Sequence, residues 1–149
     1  MDAIEFRDQA LEWTRLAADA MTEVFAPLAQ SHGLTLLQAH ALFKLREERH
    51  ATVGSLVKLG MTSGNASAMC QKLERMGYLR RVRGEADGRY VRLEMTERAQ
   101  AALRDIDGAL ERRLSPLLER RAPQEVEEAL EGLRHFCQLM LALQETPMD

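Results

Sequence analysis

Residues 53–95 read VGSLVKLGMTSGNASAMCQKLERMGYLRRVRGEADGRYVRLEM. Thr52 opens a short helix from 53 to about 59, and Gly60-Met61-Thr62 makes a tight connection to a helix that starts at Ser63 and runs to Met76, where Gly77 stops it. Two short helices joined by three or four residues that include a glycine have the geometry of a helix-turn-helix. The period then changes. Residues 78–83 and 89–93 read as two short strands, and Gly84-Glu85-Ala86-Asp87-Gly88 between them has the turn residues of a hairpin. A hairpin placed directly behind the second helix is a wing.

Working outward, residues 4 to about 30 place Trp13, Leu16, Ala17, Ala20, Met21, Val24, Phe25 and Leu28 at the three-and-four spacing of a long amphipathic helix. Pro27 is expected to bend or end it, and Ser31-His32-Gly33 supplies the break. Thr35 and Gln38 form a capping box for a second helix whose buried face is Ala39, Leu42, Phe43 and Leu45. Beyond the wing, Thr96 caps a helix carrying Ala99, Leu103, Ile106, Leu110, Leu114 and Leu117 to about residue 120. Pro123 fits the first turn of a last helix with Val126, Leu130, Leu133, Phe136, Cys137, Met140 and Leu141 on one stripe. The fold class is mainly α with a small β-hairpin wing. The first helix and the last two carry stripes longer than one small domain covers, which predicts a partner chain.

Composition limits the function classes. Of 149 residues, 46% are apolar and 29% charged, the balance of a soluble globular protein. No run of eighteen apolar residues occurs and the N-terminus is acidic, so the expectation is a cytoplasmic protein without a membrane segment. Cys70 and Cys137 are far apart and both fall on expected helices, where they read as inert core cysteines rather than a disulfide, a metal site or a sensor. His32, His40, His50 and His135 form no HxxxH or HExxH pair, and no GxGxxG, GxxxxGK or GxSxG motif is present. No enzyme, no metal and no cofactor is expected.

The charge is uneven. Residues 71–92 hold seven bases, Lys72, Arg75, Arg80, Arg81, Arg83, Arg89 and Arg92, against Glu74, Glu85 and Asp87; that is a local +4 in a chain of formal charge -3, which leaves -7 for the rest. The helix opening with Ser63, Gly64, Asn65 and Ser67 has short side chains that let its first turn sit deep in a major groove. Asn65 and Gln71 reach base edges, and Lys72 and Arg75 reach the backbone. In the wing, Asp87 orients Arg89 toward a narrow, negative minor groove, while Arg81 and Arg83 attract phosphate.

These residues resemble the MarR family of winged helix-turn-helix transcription regulators over nearly the whole chain. Leu34-Thr35-Leu36-Leu37-Gln38 is similar to the family's LTxxQ, and Leu56-Val57-Lys58-Leu59-Gly60-Met61-Thr62 to its LAxxLGLS. Residues 73–81, LERMGYLRR, resemble LExxGLVxR, and residues 87–96, DGRYVRLEMT, resemble DxRxxxVxLT without a gap. The resemblance implies one domain over 1–149, with dimerisation helices at 1–33 and 96–149 and a DNA-binding lobe at 34–95. It places Ser63, Asn65, Ser67 and Lys72 on the recognition helix and Arg89 at the wing tip. Ser63 and Ala68 stand where the family commonly has arginine, so base readout leans on Asn65, Ser67 and the wing. The implied function is a homodimeric, sequence-specific DNA-binding regulator, a repressor, whose partners are a double-stranded operator and a small-molecule effector. Trp13, His40 and Phe43 are the candidate effector residues. The alternatives are a helical protein-interaction module that keeps the winged helix as a scaffold, and a redox-sensing regulator acting through a cysteine.

Overall fold

Local capping sets most of the element boundaries. In the computed structural model, which describes residues 1–84 and 91–147, the order is α1 (Ala3–Gln30), α2 (Leu36–Arg46), α3 (Val53–Val57), α4 (Ser63–Arg75), β1 (Leu79–Arg83), β2 (Val91–Met95), α5 (Glu97–Leu118) and α6 (Pro123–Gln144). The expectations for Asp87, Arg89 and the hairpin tip lie outside the described residues. The mainly α class with a two-stranded antiparallel hairpin is as read from the sequence, with Leu79 opposite Met95 and Arg83 opposite Val91.

Asp2 caps α1 by accepting from the Ile4 and Glu5 N–H groups. Of the two outcomes expected at Pro27, it does not end α1, which runs on to Gln30. Only its own N–H is missing, and the helix recovers within a turn: the Ser31 N–H donates to the Pro27 carbonyl at 3.1 Å. The Thr35–Gln38 capping box is present in both directions, at 3.2 and 2.9 Å. At the start of α3, Ser55 Oγ accepts the Thr52 N–H at 3.0 Å and donates to Glu48 at 2.5 Å, so a buried serine closes that turn. Gly60 lies at φ +87 and Gly77 at φ +80, left-handed positions that turn the chain from α3 into α4 and from α4 into β1.

The chain divides into two compact units, Met1–Asp107 and Gly108–Asp149. The first holds the core: Leu34, Leu42, Leu56, Leu73, Tyr78 and Leu103 are at most 1% exposed, joined by Leu45, Leu79, Leu93 and Ile106. Burying each such leucine contributes about 1.5–3 kcal/mol relative to exposure. Polar contacts tie the hairpin into this core. The Leu93 N–H donates to the Ala51 carbonyl at 2.7 Å, and the Tyr78 N–H to the Leu73 carbonyl at 2.9 Å. Tyr78 fills the place of an aliphatic residue in the motif; its hydroxyl donates to the His32 carbonyl, and Arg98 lies 4.7 Å from its ring centroid.

Along α1 only Ala29 is buried, and Leu11, Trp13, Leu16 and Met21 are exposed. In the second unit, α6 has no buried residue, and Leu130, Leu133, Leu139, Leu141 and Leu143 are all more than half exposed. Cys137 on that helix is exposed, which corrects its reading as a core cysteine: among the described residues Val126, Phe136 and Met140 of its stripe are half-buried and the leucines are open. No helix among the described residues is long and apolar enough to cross a membrane.

Candidate nucleic-acid interface

Thr62 caps α4 by accepting the Asn65 N–H at 3.2 Å, so a neighbour performs the capping and the Asn65 side-chain amide has no partner among the described residues. Ala66, Cys70 and Leu73 face the core at three-and-four spacing and anchor the helix. The opposite face is Gly64, Ala68, Gln71, Lys72 and Arg75, all exposed, with Ser63 and Asn65 exposed beside its start and Ser67 half-buried. The exposed stripe thus begins with small residues and ends in bases. Gly64 has open space where a Cβ would stand, so nothing within this chain requires a glycine there.

The cations differ in what they touch. Lys72, Arg75 and Arg83 are exposed and make no ion pair among the described residues. Arg81, by contrast, donates from Nε to Glu74 at 2.9 Å, from β1 to the last turn of α4. On the other face of the hairpin Glu94 holds Arg92 at 2.7 Å and Arg80 at 3.6 Å. The Glu74–Arg81 pair is not apparent from the sequence, because it spans a helix, a turn and a strand and follows no period. The Arg80–Glu94 pair had a signal, since the two residues stand directly opposite in the strand register.

Cys70 is fully buried among these elements, and burial pushes its thiol above the ordinary cysteine range; Arg81 lowers it and Glu74 raises it to smaller extents. An enclosed thiol is a poor nucleophile, which counts against a redox switch at this residue.

The candidate effector residues are less concentrated. Trp13 is exposed in the middle of α1, about 25 Å of helix from Gln30 at 1.5 Å per residue, and so lies away from the junction of α1 with α2. His40 is exposed, and Phe43 is half-buried with Arg46 4.9 Å from its ring centroid. A cleft of about 420 Å³ lies elsewhere in the same unit, lined by residues that include His32, Tyr78, Arg98 and Asp105 and by none of these three.

A helix pair joined at Gly60, a polar outward face on the second helix and a hairpin docked behind it define a winged helix-turn-helix protein of the kind that regulates transcription. The family model for the transcriptional regulator SarA/Rot matches residues 23–106, and the chain belongs to that family. The resemblance to MarR regulators is borne out in the fold. A crystal structure of a MarR family transcription regulator superposes with a TM-score of 0.81 at 21% identity, covering 97% of this chain and 96% of that one. Bordetella bronchiseptica BpsR, whose DNA binding is regulated by 6-hydroxynicotinic acid, gives 0.71 at 20% identity over 89% and 95% of the two chains. A mutant of S. aureus MepR bound to an oligodeoxyribonucleotide gives 0.62 at 17% identity over 88% and 97%. No curated protein matches the chain by sequence.

Proposed function

We propose that this regulator is a homodimeric, sequence-specific repressor: one domain over 1–149 whose lobe at 34–95 binds an operator and whose helices at 1–33 and 96–149 join two copies. The observation that carries the DNA reading is the outward face of α4, with small residues at its start and Lys72 and Arg75, without an ion pair among the described residues, at its end. Ser63, Asn65, Ser67 and Gln71 face base edges in a major groove, and Lys72, Arg75 and Arg83 serve the phosphates, while Arg81, expected among them from the sequence, is held by Glu74. Asp87 orients Arg89 toward the flanking minor groove. Two such lobes read half-sites about one helical turn apart. The MepR complex with an oligodeoxyribonucleotide supports this use of the fold.

The dimer reading rests on the exposed leucines of α6 and the exposed stripe of α1. An effector of small-molecule class, in keeping with the BpsR precedent, acts by binding more tightly to the form of the dimer that cannot bind DNA, with His40 and Phe43 on α2 as its candidate contacts and Trp13, farther along α1, as a separate candidate.

The test is fluorescence anisotropy of the protein on the DNA upstream of its own gene, against a scrambled duplex, at two salt concentrations. The result expected is preference for the upstream DNA, two protomers per site and a steep loss of affinity with salt. Equal, weak binding to both duplexes would count against sequence-specific recognition of that DNA. Trp13 is the only tryptophan, so its emission reports effector titration directly.

A further inference from the structure

Six cations of the described chain lie on α4 and the two strands, and two carboxylates, Glu74 and Glu94, stand among them. Glu94 occupies Arg80 and Arg92 on one face of the hairpin. Glu74 is on α4 itself, one residue before Arg75, and its Oε2 accepts from Arg81 Nε at 2.9 Å. We propose that Glu74 is a built-in competitor for phosphate, which holds Arg81 away from the DNA backbone and lowers sequence-independent binding. The proposal rests on the DNA-binding reading above.

A carboxylate and a phosphate accept from a guanidinium in the same planar, charge-assisted way, so Arg81 satisfies either one with the same donors. With Glu74 in place, a phosphate must displace an existing partner and also approach a negative charge. Phosphate contacts carry no sequence information, so the cost falls on every sequence alike and leaves discrimination to the base-reading residues. The pair has another possible use, as a staple that fixes the wing against the recognition helix. Other contacts already fix that geometry: the Tyr78 N–H bonds the Leu73 carbonyl at 2.9 Å, the Thr96 N–H bonds the Tyr78 carbonyl at 3.1 Å, and Leu73 and Leu79 are buried between the two elements. The Glu74 and Arg81 side chains are 42% and 33% exposed, and an ion pair so open to water holds little together.

The two uses predict opposite outcomes. Full-length protein is titrated by anisotropy onto a mixed-sequence duplex of about two helical turns over a range of salt concentrations. Glu74→Gln is expected to bind roughly three- to ten-fold more tightly, with the slope of log K against log salt steeper by about 0.9, since Arg81 then neutralises one more phosphate. Arg81→Ala in the wild-type background changes affinity less than about two-fold, and the double variant returns to within about two-fold of wild type. Unchanged or weaker binding by Glu74→Gln overturns the proposal, as a staple requires. A tighter affinity that survives in the double variant also overturns it, because Glu74 then acts through its own charge and not through Arg81. If neither wild type nor any variant binds the duplex at low salt, the DNA-binding reading falls and this proposal falls with it.

Discussion

Gly64 carries an experiment in which stability and function part. It occupies the first turn of α4, exposed, with nothing near the position of a Cβ. Glycine in a helix costs about 0.5–1 kcal/mol relative to alanine. Gly64→Ala is therefore expected to raise stability in a urea melt by up to about that amount. If the backbone at this turn meets DNA closely, the added methyl lowers DNA affinity in the same protein. A stabilised variant with wild-type affinity would mean that the first turn stays clear of the duplex. Its neighbour Asn65 separates readout from attraction. Thr62 already caps the helix, so Asn65→Ala removes an uncommitted amide and leaves the cap bond in place. Its expected effect is a loss of about 1–3 kcal/mol of discrimination between operator and scramble, with binding to the scramble unchanged. A uniform loss on both duplexes would assign the side chain to the backbone.

Between elements, Thr96 joins three of them through one side chain. Its hydroxyl donates to the Gly77 carbonyl at 2.6 Å, where α4 ends, and accepts the Ala99 N–H at 3.3 Å, capping α5. Its N–H meets the Tyr78 carbonyl just before β1 at 3.1 Å. Thr96→Val keeps the shape and removes both hydroxyl bonds, leaving a part-buried carbonyl unpaired. The expected cost is about 1–3 kcal/mol, read as a lower urea midpoint at constant slope. A neutral result would mean that water reaches the Gly77 carbonyl. The capping half of this device was legible in the sequence, as were the Thr35–Gln38 box and the breaks at Gly33, Gly60 and Gly77, because each rests on residues within a few positions of one another. The other half was not. The Thr96–Gly77 bond, the Tyr78 hydroxyl on the His32 carbonyl and the Glu74–Arg81 pair join residues brought near only by the fold, and no period or spacing announces them. The same limit explains Trp13. An aromatic residue on a long amphipathic helix can be given a face from its spacing, but not a neighbour. The basic strip was legible as charge, and its division into paired and unpaired cations required the strand register and the turn at Gly77.

For the molecule as a whole, the exposed apolar surface is the feature on which the proposed dimer rests. The leucines of α6 are more than half exposed along its length, and surface of this kind in water is an association site or a liability. If a second copy covers it, Leu133→Glu places a charge in the interface at a position that makes no buried contact in the single chain. The core of Met1–Asp107 does not include this helix, so the variant is expected to keep its helical circular dichroism while sedimentation shifts it from dimer to monomer. Cys137 reports the same event from the neighbouring turn. Its thiol is open in the single chain, so it labels slowly in a wild-type dimer and fast in the variant, while enclosed Cys70 labels slowly in both until the protein unfolds. DNA binding then decides how the halves cooperate. A monomer keeps one recognition helix and loses the second half-site, so operator affinity falls steeply while binding to unrelated DNA falls less. A Leu133→Glu protein that still sediments as a dimer would place the joining surface elsewhere, with the exposed stripe of α1 the next to test.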